Sequence, residues 1–142
     1  MVMLAWATKT NNSAKFAEQE KDIVSTPQFT APDKHLIKVT ACWRGMESTA
    51  PAIVTLSITD EGNGHKQEQS LRIATEGVGQ AGGEMSRVLR VLTSGGDIIP
   101  GRQLFKLRAK RERGPGPGTG TVFLQAAETY PTQIRVEDLG SI

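Results

Sequence analysis

Several things are scarce in this chain, and each shortage removes a class of function. There is one cysteine, Cys42, in 142 residues, so no intrachain disulfide framework exists. That suits a chain folded in a reducing cytoplasm. No apolar run approaches the roughly 20 residues that a membrane-spanning helix needs. The apolar start, Met1 to Ala7, is very short, without a charged n-region or a small-residue cleavage site, which argues against a signal peptide. Charge of one sign is also scarce: the net charge of +2 is too small to argue for a polyanion partner, so any such case rests on local clustering. Only two tryptophans and one tyrosine are present, Trp6, Trp43 and Tyr130, which is little material for an aromatic sugar-binding platform.

Catalytic and metal signatures are missing too. The soft ligands His35, His65 and Cys42 form no close-spaced pair, so no structural zinc site is expected. No G-x-S-x-G is present, and no base stands beside Cys42, which reads as a small buried hydrophobe next to Trp43. The carboxylate pairs Asp60–Glu61 and Glu137–Asp138 fall in turns or strand ends, where solvated surface is the expected role. Asn11 to Ser13 matches a glycosylation sequon without any sign of a secretory route. The expectation is a protein without catalysis, cofactor or metal.

What is present is a period of two, the mark of half-buried strands. In "HLIKVTACWRG", Ile37, Val39, Ala41 and Trp43 share one face. In "PAIVTLSITD", Val54, Leu56 and Ile58 oppose Thr55, Ser57 and Thr59. "DEGNG", residues 60–64, is a strong turn signal, and Leu71 and Ile73 face inward after it. Phe105, Leu107 and Ala109 alternate with Lys106, Arg108 and Lys110; Val122, Leu124 and Ala126 share a face; Ile134 and Val136 alternate with Arg135 and Glu137. About six strands between Gly/Pro/Asn turns predict an all-β fold, an antiparallel β-sandwich of jelly-roll type. It spans residues 26–142, preceded by an extended N-terminal arm over residues 1–25. "SAKFAEQEKDIV" also fits a short helix, and a first strand near Asp22 to Ser25 fits equally.

Two stretches invite sharper readings. "GVGQAGG", residues 77–83, satisfies G-x-G-x-x-G, and "EMSRVLRVL" after it fits either a helix or a strand. A dinucleotide site also needs an acidic residue about 20 positions on and a second βαβ unit. Both are missing, so a Gly-rich loop joining two strands is the reading. "KLRAKRERGPGPGTG", residues 106–120, places Lys106, Arg108 and Lys110 on one strand face, about 7 Å apart. Arg111 and Arg113 follow on the approach to a turn. A polyanion contact would use this row. A solvent face that guards an edge would look the same, and no aromatics interleave to stack bases. "GPGPGTG" then reads as a hairpin tip returning the chain into "TVFLQAA".

The two ends of the chain resemble a family of small β-rich structural modules in virions of tailed bacteriophages, especially those of actinobacteria. At the start the matching positions are Thr10, Asn11, Ser13, Ala14, Glu20 and the strand from Leu36 to Gly45. At the end they are Gly120, Thr121, Leu124, Ala126, Pro131, Ile134, Val136, Glu137, Asp138, Leu139 and Gly140. The charged segment Lys15 to Asp22 and the loop 77–83 depart from the pattern. The resemblance implies a non-enzymatic protein of the virion, made in the host cytoplasm. Its first form is a capsid decoration protein that binds the major capsid protein and assembles as a homo-oligomer, a trimer. Leu4, Trp6 and Phe16 are then the expected anchors on the capsid or a sister subunit. Lys106, Arg108, Lys110, Arg111 and Arg113 form a basic row facing an acidic surface. The alternative form is a tail-fibre or tail-tip module that holds host carbohydrate. Apart from the resemblance, the 106–113 row leaves a third reading, a nucleic-acid-binding protein.

Overall fold

Alternation of apolar and polar residues decides which side of each strand enters the core. In β4 (His35–Trp43), Ile37, Val39, Ala41 and Trp43 are buried. So are Val54, Leu56 and Ile58 of β6 (Ala52–Asp60), Phe105, Leu107 and Ala109 of β11 (Phe105–Arg111), and Ile134 and Val136 of β13 (Thr132–Ser141). Each large side chain of this kind contributes about 1.5–3 kcal/mol on leaving water. The Phe29 and Phe105 rings stack with centroids 6.0 Å apart.

The computed structural model describes residues 2–48, 52–73, 77–79, 82–112 and 120–142. Among these there is no helix. The remaining strands are β1 (Val2–Lys9), β2 (Lys21–Ser25), β3 (Phe29–Ala31), β5 (Gly45–Ser48), β7 (Gln67–Ile73), β8 (Gly77–Gly79), β9 (Gly83–Val91), β10 (Gly101–Gln103) and β12 (Val122–Gln125). Two four-stranded antiparallel sheets, β1-β13-β4-β9 and β2-β11-β6-β7, make the sandwich. The ladder β13-β4-β9 continues past Arg44 as β12-β5-β8 in the same order, and β3 pairs with β10.

The pairings are nested. β6 pairs with β7, β5 with β8, β4 with β9, β3 with β10, β2 with β11, Phe16 with Val122 at the head of β12, and β1 with β13. The chain is therefore one long hairpin with its tip at Asp60–Gly64, rolled so that its two arms also pair side by side. The rolled contacts are β13·β4, β11·β6 and β12·β5. This is the jelly roll. Its tip is closed locally: Asp60 accepts hydrogen bonds from the Asn63 and Gly64 amides, and Asn63 has φ of 63°.

The sandwich expectation holds, and several details are corrected. Among the described residues thirteen strands replace six, because pieces of three or four residues are too short to show a period. Residues 2–25 are extended but belong to the sandwich, with β1 hydrogen-bonded to β13 and β2 to β11. A bulge between Met3 and Ala5 breaks the alternation in β1, which hides it from a period-two reading. Residues 83–91 are strand, not helix. β11 and β12 are not hairpin partners: β11 lies between β2 and β6, while β12 pairs with β5. A jelly roll sends consecutive strands to different ladders, so the 106–124 stretch joins two ladders. Arg113 and residues 114–119, where the sequence predicts a hairpin tip, lie outside the described residues. Cys42 faces outward, half-buried, with Sγ 3.9 Å from Gln133 Oε1.

Candidate functional site

Strand edges expose unpaired backbone groups, and proteins usually guard them with charge. Three of the four edges of the main sheets follow that rule among the described residues: β2 carries Lys21 and Asp22, β7 carries Glu68, and β9 carries Glu84, Arg87 and Arg90. The fourth edge, β1, reads VMLAWATK, with one charge at its far end. Val2, Met3 and Trp6 on it are exposed, and Trp6 keeps 59% of its surface in solvent. Leu139 and Ile142, at the end of the neighbouring β13, are exposed as well. A hollow lined by Val2, His35, Asp138 and Leu139 joins the two strands there. On the outer face, Trp6 stands opposite Arg135, and Met3 opposite Glu137, which accepts a hydrogen bond from Arg135 Nε at 3.1 Å.

The three expected anchors have separate fates. Trp6 is outward and open, whereas Leu4 is half-buried against the core. Phe16 is 2% exposed and cannot reach a partner. Its backbone exchanges two hydrogen bonds with Val122, at 2.8 and 2.9 Å, which fixes its ring inward between the sheets.

The basic row is placed on an interior strand and is answered within the molecule. Arg108 meets Asp22 at 2.7 Å and Glu20 at 3.2 Å, both from the segment leading through β2. Lys106 lies 4.0 Å from Asp22 and donates to Asn63 Oδ1 at 3.2 Å. Lys110 lies 3.9 Å from Glu112. Arg111 departs from the row altogether: it falls on the inner side of β11, is 6% exposed, and reaches Glu18 at 3.7 Å. The charged segment Lys15 to Asp22 is thus the counterpart of the row. Pairs of this kind are worth about 0–1 kcal/mol each, but they cancel most of the field a polyanion would feel.

A third surface leaves little trace in the sequence. Where β4 bends into β5, a hollow of about 740 Å³ opens between Asn12, Trp43, Arg44, Gln125 and Tyr130. Tyr130 is held by a tight turn whose Ala127 and Tyr130 amides and carbonyls bond reciprocally at 3.0 and 3.2 Å. Its ring is 63% exposed, and the Arg44 guanidinium carbon stands 5.4 Å from its centroid. The Gly-rich stretch supports this corner. A Cβ on Gly82 would come within 2.3 Å of the Arg44 carbonyl oxygen, and one on Gly83 within 2.8 Å of the Trp43 ring. Gly82 thus serves close approach to the backbone at the end of β4, and Gly83 the seating of the Trp43 ring. The one sequence signal for the site was an aromatic beside proline in a short turn, "ETYPT".

Among the described residues, no three His, Cys, Asp or Glu side chains gather as metal ligands. Burial pushes the Cys42 thiol up, so it stays protonated. The His35 ring, at 2.8 Å, and secondarily the Gly140 amide hold Asp138 below the usual carboxylate range. The Arg90 amide does the same for Asp97.

Strand pairing and the exposed surfaces define an antiparallel jelly-roll module with one apolar open edge. No protein-family model matches the chain, and no curated protein does. Among solved structures it is similar to the CBM22-1 xylan-binding domain from Paenibacillus barcinonensis Xyn10C, at 10% identity and a TM-score of 0.34, over 99% of this chain and 95% of that one. A likeness at that level carries no argument about what this chain binds.

Proposed function

We propose that this jelly roll is a non-catalytic structural module of a tailed-bacteriophage virion, a decoration protein that sits on the outer surface of the capsid. The observation that supports it best is the unguarded β1 edge with its exposed Val2, Met3 and Trp6 beside Leu139 and Ile142. A large apolar group on an open edge is costly for a free protein and useful to one that is covered in its assembly. In this reading the major capsid protein, or a sister subunit of a homotrimer, covers the edge, and Trp6 is the anchor. Leu4 acts indirectly, by packing the strand that carries Trp6 against the core.

The basic row has a smaller part than its composition promised. Lys106, Arg108 and Lys110 are engaged with Asp22, Glu20 and Glu112, and the inward Arg111 with Glu18, which leaves little for nucleic acid. The tail-fibre alternative gains one observation, the exposed Tyr130 ring.

Co-sedimentation with capsid shells of the phage that encodes the protein tests the proposal. The native protein pellets with shells. Trp6→Ser binds about 30-fold more weakly, the effect of losing a hot-spot residue. Equal binding by native and Trp6→Ser protein would remove β1 as the attachment edge.

A further inference from the structure

We infer that the hollow at the β4–β5 bend is a binding site for an acidic saccharide, recognised through Tyr130, Arg44, Asn12 and Gln125. The inference goes beyond capsid attachment and does not depend on it, because the hollow and the β1 edge share no residue.

The chemistry follows from what the hollow offers. Tyr130 presents a flat apolar ring that suits the C–H face of a pyranose, and its turn holds it in place before any ligand arrives. Arg44 is exposed and lies within ion-pair distance of no carboxylate among the described residues. This contrasts with Arg108 and Arg111, whose guanidinium groups are answered by acids of the same chain. Its position over the Tyr130 ring orients the planar fork without consuming its charge. A carboxylate accepts two parallel N–H bonds from such a fork.

The amides supply the rest. Asn12 Oδ1 accepts a bond from the Ala126 amide at 3.1 Å, which fixes the side chain and leaves its NH2 as a donor. Gln125 lines the same hollow, so donors and an acceptor for hydroxyl groups stand beside the ring. No acidic side chain lines the hollow among the described residues. One cation with amides and one aromatic fits a uronic or sialic acid residue better than a polyphosphate, which calls for several cations. Gly82 lets its segment approach the backbone of Trp43 and Arg44, and Gly83 leaves room for the Trp43 ring.

Calorimetric titration with a panel of glucuronate, galacturonate and sialyl oligosaccharides tests this, each beside its carboxyl-reduced counterpart. At least one acidic member should bind saturably, and reducing its carboxyl should weaken binding at least about tenfold. Arg44→Gln should weaken the acidic form equally and erase its advantage over the reduced one. Tyr130→Ala should remove binding of both forms while leaving the unfolding midpoint unchanged. No saturable binding by any member at millimolar concentration would overturn the inference. So would an Arg44→Gln variant that still prefers the acid.

Discussion

Replacing Phe16 with alanine separates a strand built into the sandwich from an arm laid on a partner. The ring is 2% exposed, and residue 16 is bonded through both backbone groups to Val122. Truncating a buried phenylalanine costs about 3–5 kcal/mol, the lost transfer energy plus the cavity left behind. Domains of this size have only about 5–15 kcal/mol of stability in total. With a urea slope of about 2 kcal/mol/M, a loss of about 4 kcal/mol moves the unfolding midpoint down by about 2 M at unchanged slope. Urea unfolding followed by tryptophan fluorescence reads this directly, since Trp43 is 4% exposed in the folded state. A midpoint unchanged within the error of the titration, combined with lost capsid binding, would refute the placement of Phe16 and restore an N-terminal arm.

Asp138→Asn reports on the corner beside the β1 edge. The folded carboxylate titrates below its ordinary value, so its stabilising share is complete above the unfolded value of about 3.9 and vanishes as pH falls through the folded one. The variant should therefore be less stable than the native protein at pH 7 and converge with it in strong acid; parallel pH–stability curves would contradict this. Gly82→Ala should cost about 1–3 kcal/mol by overpacking against the Arg44 carbonyl. Gly62→Ala, whose added Cβ meets only Asp60 Oδ1 at 3.6 Å, should stay within about 0.5 kcal/mol, and equal effects at both positions would remove the claim that Gly82 is there for close approach.

The long strands were legible because each carries a clean period of two over a single core face: Ile37 to Trp43, Val54 to Ile58, Phe105 to Ala109 and Ile134 to Val136. The strand β1 was not, because its bulge at Met3–Ala5 shifts the phase midway and its apolar residues point both into and out of the core. The nesting of the pairs was invisible for a different reason. Which strand meets which is settled by long-range packing, and period alone cannot report it. The basic row was seen correctly as one face of an alternation, but its meaning lay in Glu18, Glu20 and Asp22, some 90 residues upstream. Arg111 kept the phase of the buried set and so went inward. The Tyr130 hollow is assembled from three stretches distant in sequence, at Asn12, at Trp43 to Gly45 and at Gln125 to Tyr130, and no single local pattern announces the whole of it.

The proposed function puts this chain on the particle of a tailed bacteriophage, and electron cryo-microscopy of that particle tests the proposal most directly. The account predicts jelly-roll density on the outside of the head shell, with the β1 edge and Trp6 covered by the major capsid protein or a sister subunit. Density confined to the tail, a β1 edge turned to solvent, or absence from the particle would contradict it.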